Sequence, residues 1–488
     1  MHKQHHVFPS PSLPGGWLLP VALACTVFVT GCSHTSRFAG HAEALPIPVQ
    51  WSQQEASTAS ATQDLSRWWQ YLGDSQLTAL IDQALQSNSS VQLATSVLQQ
   101  ARAQQALQEA GRLPAASAST ERGRDWDGGE NGRNSYSARV SASWEADLWG
   151  RQANAVKAAQ ANVEAAVANL QGAHVALAAE VALNYIELRS LQNRLQIAQN
   201  NLAIQQQNQQ LTQWRVQAGL ATSLESEQAR AATAQTAAQI PALQASMAQA
   251  RHALAILTGQ PPAALDAQLL AVKPLPSAPE ALALALPADT LRQRPDVRAQ
   301  EFKVMAALAN LSAQERANFP SLRLSGSLGV SALTLGALSG ATVAQGIAAT
   351  LSAPLFDAGA NRAQIRAQQA LLEQARINYR ATVLSALQEV EDALVQLRGD
   401  RERLAQLTVA EEAARYAQLL ATQRYSSGLV DFQTVLDTQR TLLSAQDSVA
   451  TAQAAISTDH VRLYKALGGG WQPLAEQATT AATVAAQP

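Results

Sequence analysis

The chain has 488 residues, with 35 basic and 37 acidic side chains and a formal net charge of −2, and charged residues make up only 15% of it. A surface so sparse and balanced argues against a role in binding nucleic acid. Its two cysteines, Cys25 and Cys32, both stand near the start, so the rest of the chain carries neither a disulfide framework nor a thiolate metal site.

Taken in order, the chain opens with Lys3 and early histidines and continues as an apolar run from Trp17 to Val29. A basic start, a short apolar segment and small residues behind it make a secretory signal peptide over residues 1–31, too short to span a bilayer as a mature helix. The run ends Val29-Thr30-Gly31-Cys32, which resembles the lipobox where signal peptidase II cuts before a cysteine that is then lipidated. Cys32 would then be the mature N-terminus with a covalent lipid, and Ser33 behind it is what lipoproteins sorted to the outer membrane show. An ordinary signal with a cut nearby is the alternative. No later stretch approaches about 18 consecutive apolar residues, so a mature chain that crosses a membrane does so with strands.

Residues 32–66 are polar, contain Pro46 and Pro48, and read as an extended tether. A first repeat follows over 67–259. Trp68-Trp69 reads as packing, Asp74 is placed to cap a helix with Leu77, Leu80, Ile81 and Leu85 at helical spacing, and a second helix runs from Val91 to Gly111. Between Pro114 and Gly150 the periodicity falls to two. Tyr136, Ala138, Val140, Ala142, Trp144 and Ala146 alternate with Ser137, Arg139, Ser141, Ser143 and Glu145, and a weaker strand lies at 115–122, giving a hairpin over about 115–146. One apolar and one polar face over about ten residues is the transmembrane barrel pattern, with a soluble two-sided sheet as the alternative. Trp144, Trp149 and Phe356 fall where an interfacial aromatic girdle would lie.

A helix from about 148 to 213 comes next. Val156, Val163, Leu170, Leu177 and Leu191 form one heptad stripe and Val167, His174, Val181, Leu188, Leu195 and Leu202 another, which predicts a coiled-coil strut of roughly 100 Å. The chain reverses at 215–222 around Gly219 and returns as a helix ended by Gly259. Residues 260–287 hold six prolines and form a connection.

The plan then repeats over 288–470. Gly150 and Gly359, Gly219 and Gly428, and Gly259 and Gly468 are each 209 positions apart (359 − 150), while Pro114 and Pro320 are 206 apart (320 − 114). The second half has a hairpin at about 320–355, a strut at about 359–424, a reversal at 424–431 and a return helix; residues 471–488 read as a disordered tail. Four strands per chain cannot close a barrel, and open edges in hydrocarbon cost several kcal/mol per unpaired group, so a membrane-spanning sheet requires oligomerisation; three copies would give twelve strands, and a cyclic homotrimer is the inference.

The stretch Leu291-Arg292-Gln293-Arg294-Pro295-Asp296-Val297 resembles the arginine-proline-aspartate-valine motif of the outer membrane efflux family, the TolC-like channels. Trp68-Trp69 with Gly73-Asp74, Leu148-Trp149-Gly150-Arg151, Leu355-Phe356-Asp357-Ala358-Gly359 and the Gly-Leu turns at Gly219 and Gly428 match in order. The resemblance implies an α+β membrane protein. Three copies would form a twelve-stranded transmembrane β-barrel on a long coiled-coil α-helical barrel that crosses the periplasm. It implies a passive efflux duct for drugs or other small toxic compounds, lipid-anchored in the outer membrane and working with a periplasmic adaptor and an inner-membrane pump, most often of the resistance-nodulation-division type. A type I secretion channel and a non-spanning coiled-coil scaffold are the competing readings.

No catalytic or cofactor motif is present. His174 lies on a heptad stripe and reads as packing, and Glu389, Glu391 and Asp392 read as a solvated cluster. Adaptor docking falls on the tips, Arg215, Gly219, Leu220, Ala221 and Thr222 in the first half and Arg424, Gly428, Leu429, Val430 and Asp431 in the second. The resemblance places constricting residues just after the second turn, where Gln433, Asp437 and Arg440 share one helix face. Glu227 and Arg230 are their first-half counterparts. Three copies would turn Asp437 into a ring needing a basic neighbour, for which Arg440 is nearest; an ordinary exposed helix pair is the alternative.

Overall fold

A computed structural model describes residues 64–125, 133–277, 287–334 and 342–471, together with 48, 50–52 and 337. The signal peptide, Cys32, most of the tether and the tail after Trp471 lie outside these residues. Helix α1 (Ser75–Ser87) starts as expected, with the Asp74 carboxylate accepting from the N–H groups of Gln76 and Leu77 at 2.7 and 3.1 Å. Asn88 caps α2 (Ser89–Ala110). Strands β1 (Ala115–Asp125) and β2 (Arg133–Ala146) lead into α3 (Arg151–Gln217), and α4 (Ser223–Leu257) returns. The connection contains one short turn of helix, α5 (Asp266–Leu269), and gives way to α6 (Pro287–Gln293) and α7 (Pro295–Glu315), split at Arg294 by the proline. Strands β3 (Ser321–Ala332) and β4 (Thr342–Ser352) precede α8 (Ala360–Ser426) and α9 (Phe432–Ala466).

Both struts are 67 residues and both return helices 35, so the duplication holds to the residue. The struts outrun the expected ends near 213 and 424, because Leu211, Trp214 and Arg215 are helix formers that continue past the last stripe residue. A 35-residue helix covers only about half of a 67-residue one, at about 1.5 Å per residue. The other half is covered differently: α2 packs on α3, α3 on α7 and α7 on α8.

Where return helices end and short helices begin, the core is widest. Trp68, Leu77, Leu80 and Ile81 are completely buried against Val181, Tyr185 and Leu188 of α3 and Leu254 of α4. A buried polar network ties the connection to this belt. Arg189 donates to the carbonyl of Ala271 at 2.7 Å, to Gln76 at 2.8 Å and to Tyr185 Oη at 2.8 Å, and Tyr185 donates to Asp74 at 2.6 Å.

Two expectations need correction. The tether does not stay extended to Ser66: Leu65–Leu72 is a 3₁₀ helix, and Trp51 is buried among Val390, Leu397 and Leu463, since an indole gains more from apolar cover than from solvent. Glu389 is not merely solvated, because it accepts from Arg294 at 2.7 Å; Glu391 accepts from the Ser52 N–H at 2.9 Å.

The four strands form one antiparallel sheet in the order β1-β2-β3-β4. Its register joins the two halves through β2 and β3, pairing Val140 with Leu328 and Trp144 with Leu324, while Leu322 faces Leu351 across β4. Directly paired residues share a face, so the apolar rows line up across the sheet and Ser141, Ser143, Ser325 and Ser327 line the other. On the apolar side Ile347 is 94% exposed. One 18-residue window of α3 is also apolar enough to cross a membrane by composition, and half of it is buried inside the protein.

Candidate functional site: the helix tips and the face above them

Both tips have one geometry. The Leu220 N–H donates to the Arg215 carbonyl at 2.7 Å and the Gly219 N–H to Val216 at 3.0 Å; Leu429 donates to Arg424 at 2.9 Å and Gly428 to Tyr425 at 3.0 Å. These bonds close the strut ends as Schellman turns, with Gly219 at φ +70° and Gly428 at φ +73°, where a side chain would be strained. Arg215 and Arg424 therefore belong to the last helical turns, while Thr222 and Asp431 cap the return helices. Leu220 and Leu429 are over 70% exposed, leaving one bare apolar side chain on each tip. Ala221 and Val430 follow them into the caps.

The tips are tied together by contacts that the sequence reading missed. The Arg215 guanidinium lies 4.6 Å from the Tyr425 ring centre, Tyr425 donates to Glu225 at 3.3 Å, and its ring meets Phe432. Ala229, Ala232, Ala421, Phe432, Val435 and Leu436 bury one another beneath them. The Arg-aromatic-acid combination was visible as residue types, but only the fold brings α3, α4, α8 and α9 to one place.

Gln433, Asp437 and Arg440 share a face of α9, as their spacing requires. Gln433 donates to Asp437 at 2.9 Å, closer than Arg440 at 3.8 Å, so the nearest group holding Asp437 is an amide rather than the expected cation. Glu227 and Arg230 pair at 2.8 Å. In the single chain both acids are more than half exposed, and such pairs contribute under about 1 kcal/mol.

The firmer tie lies higher. Arg194 of α3 binds Asp447 of α9 through two nitrogens, at 2.6 and 3.2 Å, and Asn201 donates to Gln446 at 2.9 Å. Arg194 stands directly before the stripe residue Leu195, a heptad position that flanks the seam and reaches a neighbouring helix. That position was a legible sign that went unread. Arg194, Asp447 and Arg440 line a groove of about 610 Å³ between α3, α4 and α9, floored by Ala198 and Leu243.

At the other end, Asp357 caps α8 by accepting from the N–H groups of Gly359 and Asn361 at 2.9 and 2.8 Å, and Asp147 caps α3 by accepting from Gln152 and Ala153. Trp149 stacks on Phe319 at 5.1 Å and donates to the Pro320 carbonyl, which fixes it at the strand ends. Phe356, on the approach to the second strut, is 90% exposed. His174 is half-buried, and burial lowers its pKa, so it packs in the neutral form.

A duplicated chain with two long helical hairpins below a two-faced sheet defines an outer membrane channel. The family model for outer membrane efflux proteins matches residues 80–260 and 286–469, the two halves in turn, and the chain belongs to that family. It is the outer membrane component of an efflux system. Among its relatives, Nodulation protein T of Rhizobium leguminosarum bv. viciae is 32% identical over 90% of this chain and 92% of that one. The cation efflux system protein CusC of Escherichia coli (strain K12) is 30% identical over 93% and 99%, and the pyoverdine export outer membrane protein OpmQ of Pseudomonas aeruginosa 33% over 88% and 92%. The solved structure of the outer-membrane channel OprN superposes with a TM-score of 0.79 at 35% identity, covering 88% of this chain and 98% of that one.

Proposed function

We propose that three copies of the chain close a twelve-stranded β-barrel in the outer membrane above a periplasmic α-helical barrel, forming a passive duct. The observation that carries this reading is the sheet. Its apolar rows are aligned and solvent-facing, while β1 and β4 each have a partner on one side only among the described residues. Pairing β1 of one copy with β4 of the next removes those edges, which hydrocarbon would penalise heavily. The serine-lined face then lines water.

In this reading Cys32 carries the lipid. The chain between Cys32 and Trp51 reaches at most about 65 Å, whereas Val390, in the cluster that buries Trp51, is about 45 Å along α8 from its sheet end. An anchor at the membrane and a docked Trp51 are thus compatible. The exposed leucines and paired turns at the tips meet a periplasmic adaptor, which joins the duct to an inner-membrane pump of the resistance-nodulation-division type. Relatives named for cations, pyoverdine and toluene differ in cargo at similar identity, which favours a duct that does not read what passes.

Planar-bilayer conductance tests the reading, since a non-spanning scaffold gives none. Asp437→Ala with Arg440→Ala is expected to raise resting conductance and to sensitise cells to vancomycin; wild-type conductance and normal exclusion would move the closure up to Arg194 and Asp447. Gly428→Val is expected to leave assembled trimer in the membrane while lowering drug resistance, by distorting a turn that needs positive φ. Unchanged export in that variant would count against docking at the tip.

A further inference from the structure

The second helical hairpin contains two acids where a coiled coil should have none. Asp400 of α8 is three residues beyond Leu397, on the seam between the helices, and Asp459 of α9 faces it. Asp400 is 6% exposed and Asp459 2%. The repeat supplies the control: 209 positions earlier stand Leu191 and Ala250 (400 − 191 and 459 − 250), both buried in the first half's core. The same backbone packs with two apolar residues there, so the acids are not needed to fill space.

Their hydrogen bonding is incomplete in one place. Asp400 accepts from Gln396 at 2.7 Å, and Arg403 approaches it at 3.7 Å. Arg462 reaches one oxygen of Asp459 at 3.5 Å, but both arginines are more than half exposed and remain largely solvated. The other oxygen, Asp459 Oδ2, is buried with no donor among the described residues. The carboxyl group of Asp400 is beside it, and two buried carboxylates in contact repel unless one carries a proton.

We propose that Asp400 and Asp459 form a proton-binding site in the α8–α9 seam, in which one shared proton completes the hydrogen bonding and clamps the two helices together. Burial first, and Asp400 second, raise Asp459 from 3.8 to about 7. A value raised on folding means that the stability it contributes is full below the unfolded value and is lost as pH rises through about 7. The cations beside this site are Arg403 next to Asp400, Arg462 next to Asp459 and Arg401 next to His460. His460, which contacts Arg401 at 3.4 Å, is lowered to about 4 by burial and by that arginine, so it stays neutral throughout. Among the described residues of the N-terminal segment, the one that packs into the nearby apolar cluster is the uncharged Trp51.

Two measurements on the full-length purified protein test the site. In denaturant unfolding, the equilibrium constant of the wild type is expected to rise by about tenfold per pH unit between roughly pH 5 and 7, and that slope is expected to vanish in Asp459→Asn, which keeps shape without the titration. In infrared difference spectra at pH 6, wild type minus Asp459→Asn is expected to show the carbonyl band of a protonated carboxyl, lost at pH 9. Asp400→Leu with Asp459→Ala installs the first half's own pair and is expected to fold and to be flat with pH. A wild type with no protonated-carboxyl band, or an Asp459→Asn protein that keeps the full slope, overturns the proposal; if neither variant folds, the presence or absence of a pH-sensitive carboxyl band in the wild type decides it.

Discussion

Arg294→Ala is expected to lower the unfolding free energy by about 3 kcal/mol, the lower end of what removing one partner from a buried charge cluster costs. The Arg294 side chain is 7% exposed and joins three elements at once. It donates to both oxygens of Asp296 at 3.0 and 2.6 Å, to Glu389 of α8 at 2.7 Å, and to the carbonyl of Ala466 at the end of α9 at 2.7 Å. Burial alone would favour loss of its proton, and the two carboxylates more than offset this, holding the guanidinium charged. Asp296 and Glu389 are half exposed and can rehydrate when the arginine is lost, which is why the low figure applies. The Ala466 carbonyl has no such recourse. Arg294→Lys should recover only part, since an ammonium cannot bond Asp296 with two nitrogens. Denaturant midpoints of the three proteins measure this, and coincident curves would reduce the motif to a local helix start.

Trp68→Ala is expected to cost about 3–5 kcal/mol, as for other fully buried aromatics cut to a methyl. The Trp68 ring is completely buried, stacks on Tyr464 of α9 at 5.2 Å and meets Trp69 edge-on at 5.8 Å. Gly469 and Gly470 run directly over it, so close that a Cβ on Gly469 would lie 3.0 Å from the indole. The indole thus fills the space between the end of the second half and the belt of the first. Its removal should expose the chain after α9 to protease before the helical hairpins unfold, whereas Trp68→Phe, which keeps most of the area, should cost less than half as much. Equal protease lifetimes for Trp68→Ala and wild type would show that the belt closes without the ring.

What the sequence made legible was what depends on neighbours a few residues away or on the repeat. The Asp74 cap, the Gly219 and Gly428 turns, the alternation of β2 and the equal struts all follow from local spacing, and all stand in the structure. Contacts set by which faces meet across the fold were not legible. Trp51 looked like part of a polar tether because its apolar cover comes from residues more than 300 positions away. Glu389 and Arg294, or Arg194 and Asp447, are ordinary charges until the helices carrying them are placed side by side. Spacing placed Gln433, Asp437 and Arg440 on one face but could not rank their distances.

The half-length return helices also set the mechanics. Below the belt each half is a two-helix arm, and among the described residues the two arms are joined by the small tip cluster, the Arg194–Asp447 tie and the Asn201–Gln446 bond. An arm of 35 residues is about 52 Å long, so a swivel of about 6° where it leaves the belt sweeps its end by about 5 Å. That is a helix pitch of travel for a rotation that disturbs side chains at the pivot by only a few tenths of an ångström. Under the docking proposed above, a partner gripping the ends would work with leverage, and the tie, set part of the way along the arm, would resist the swivel.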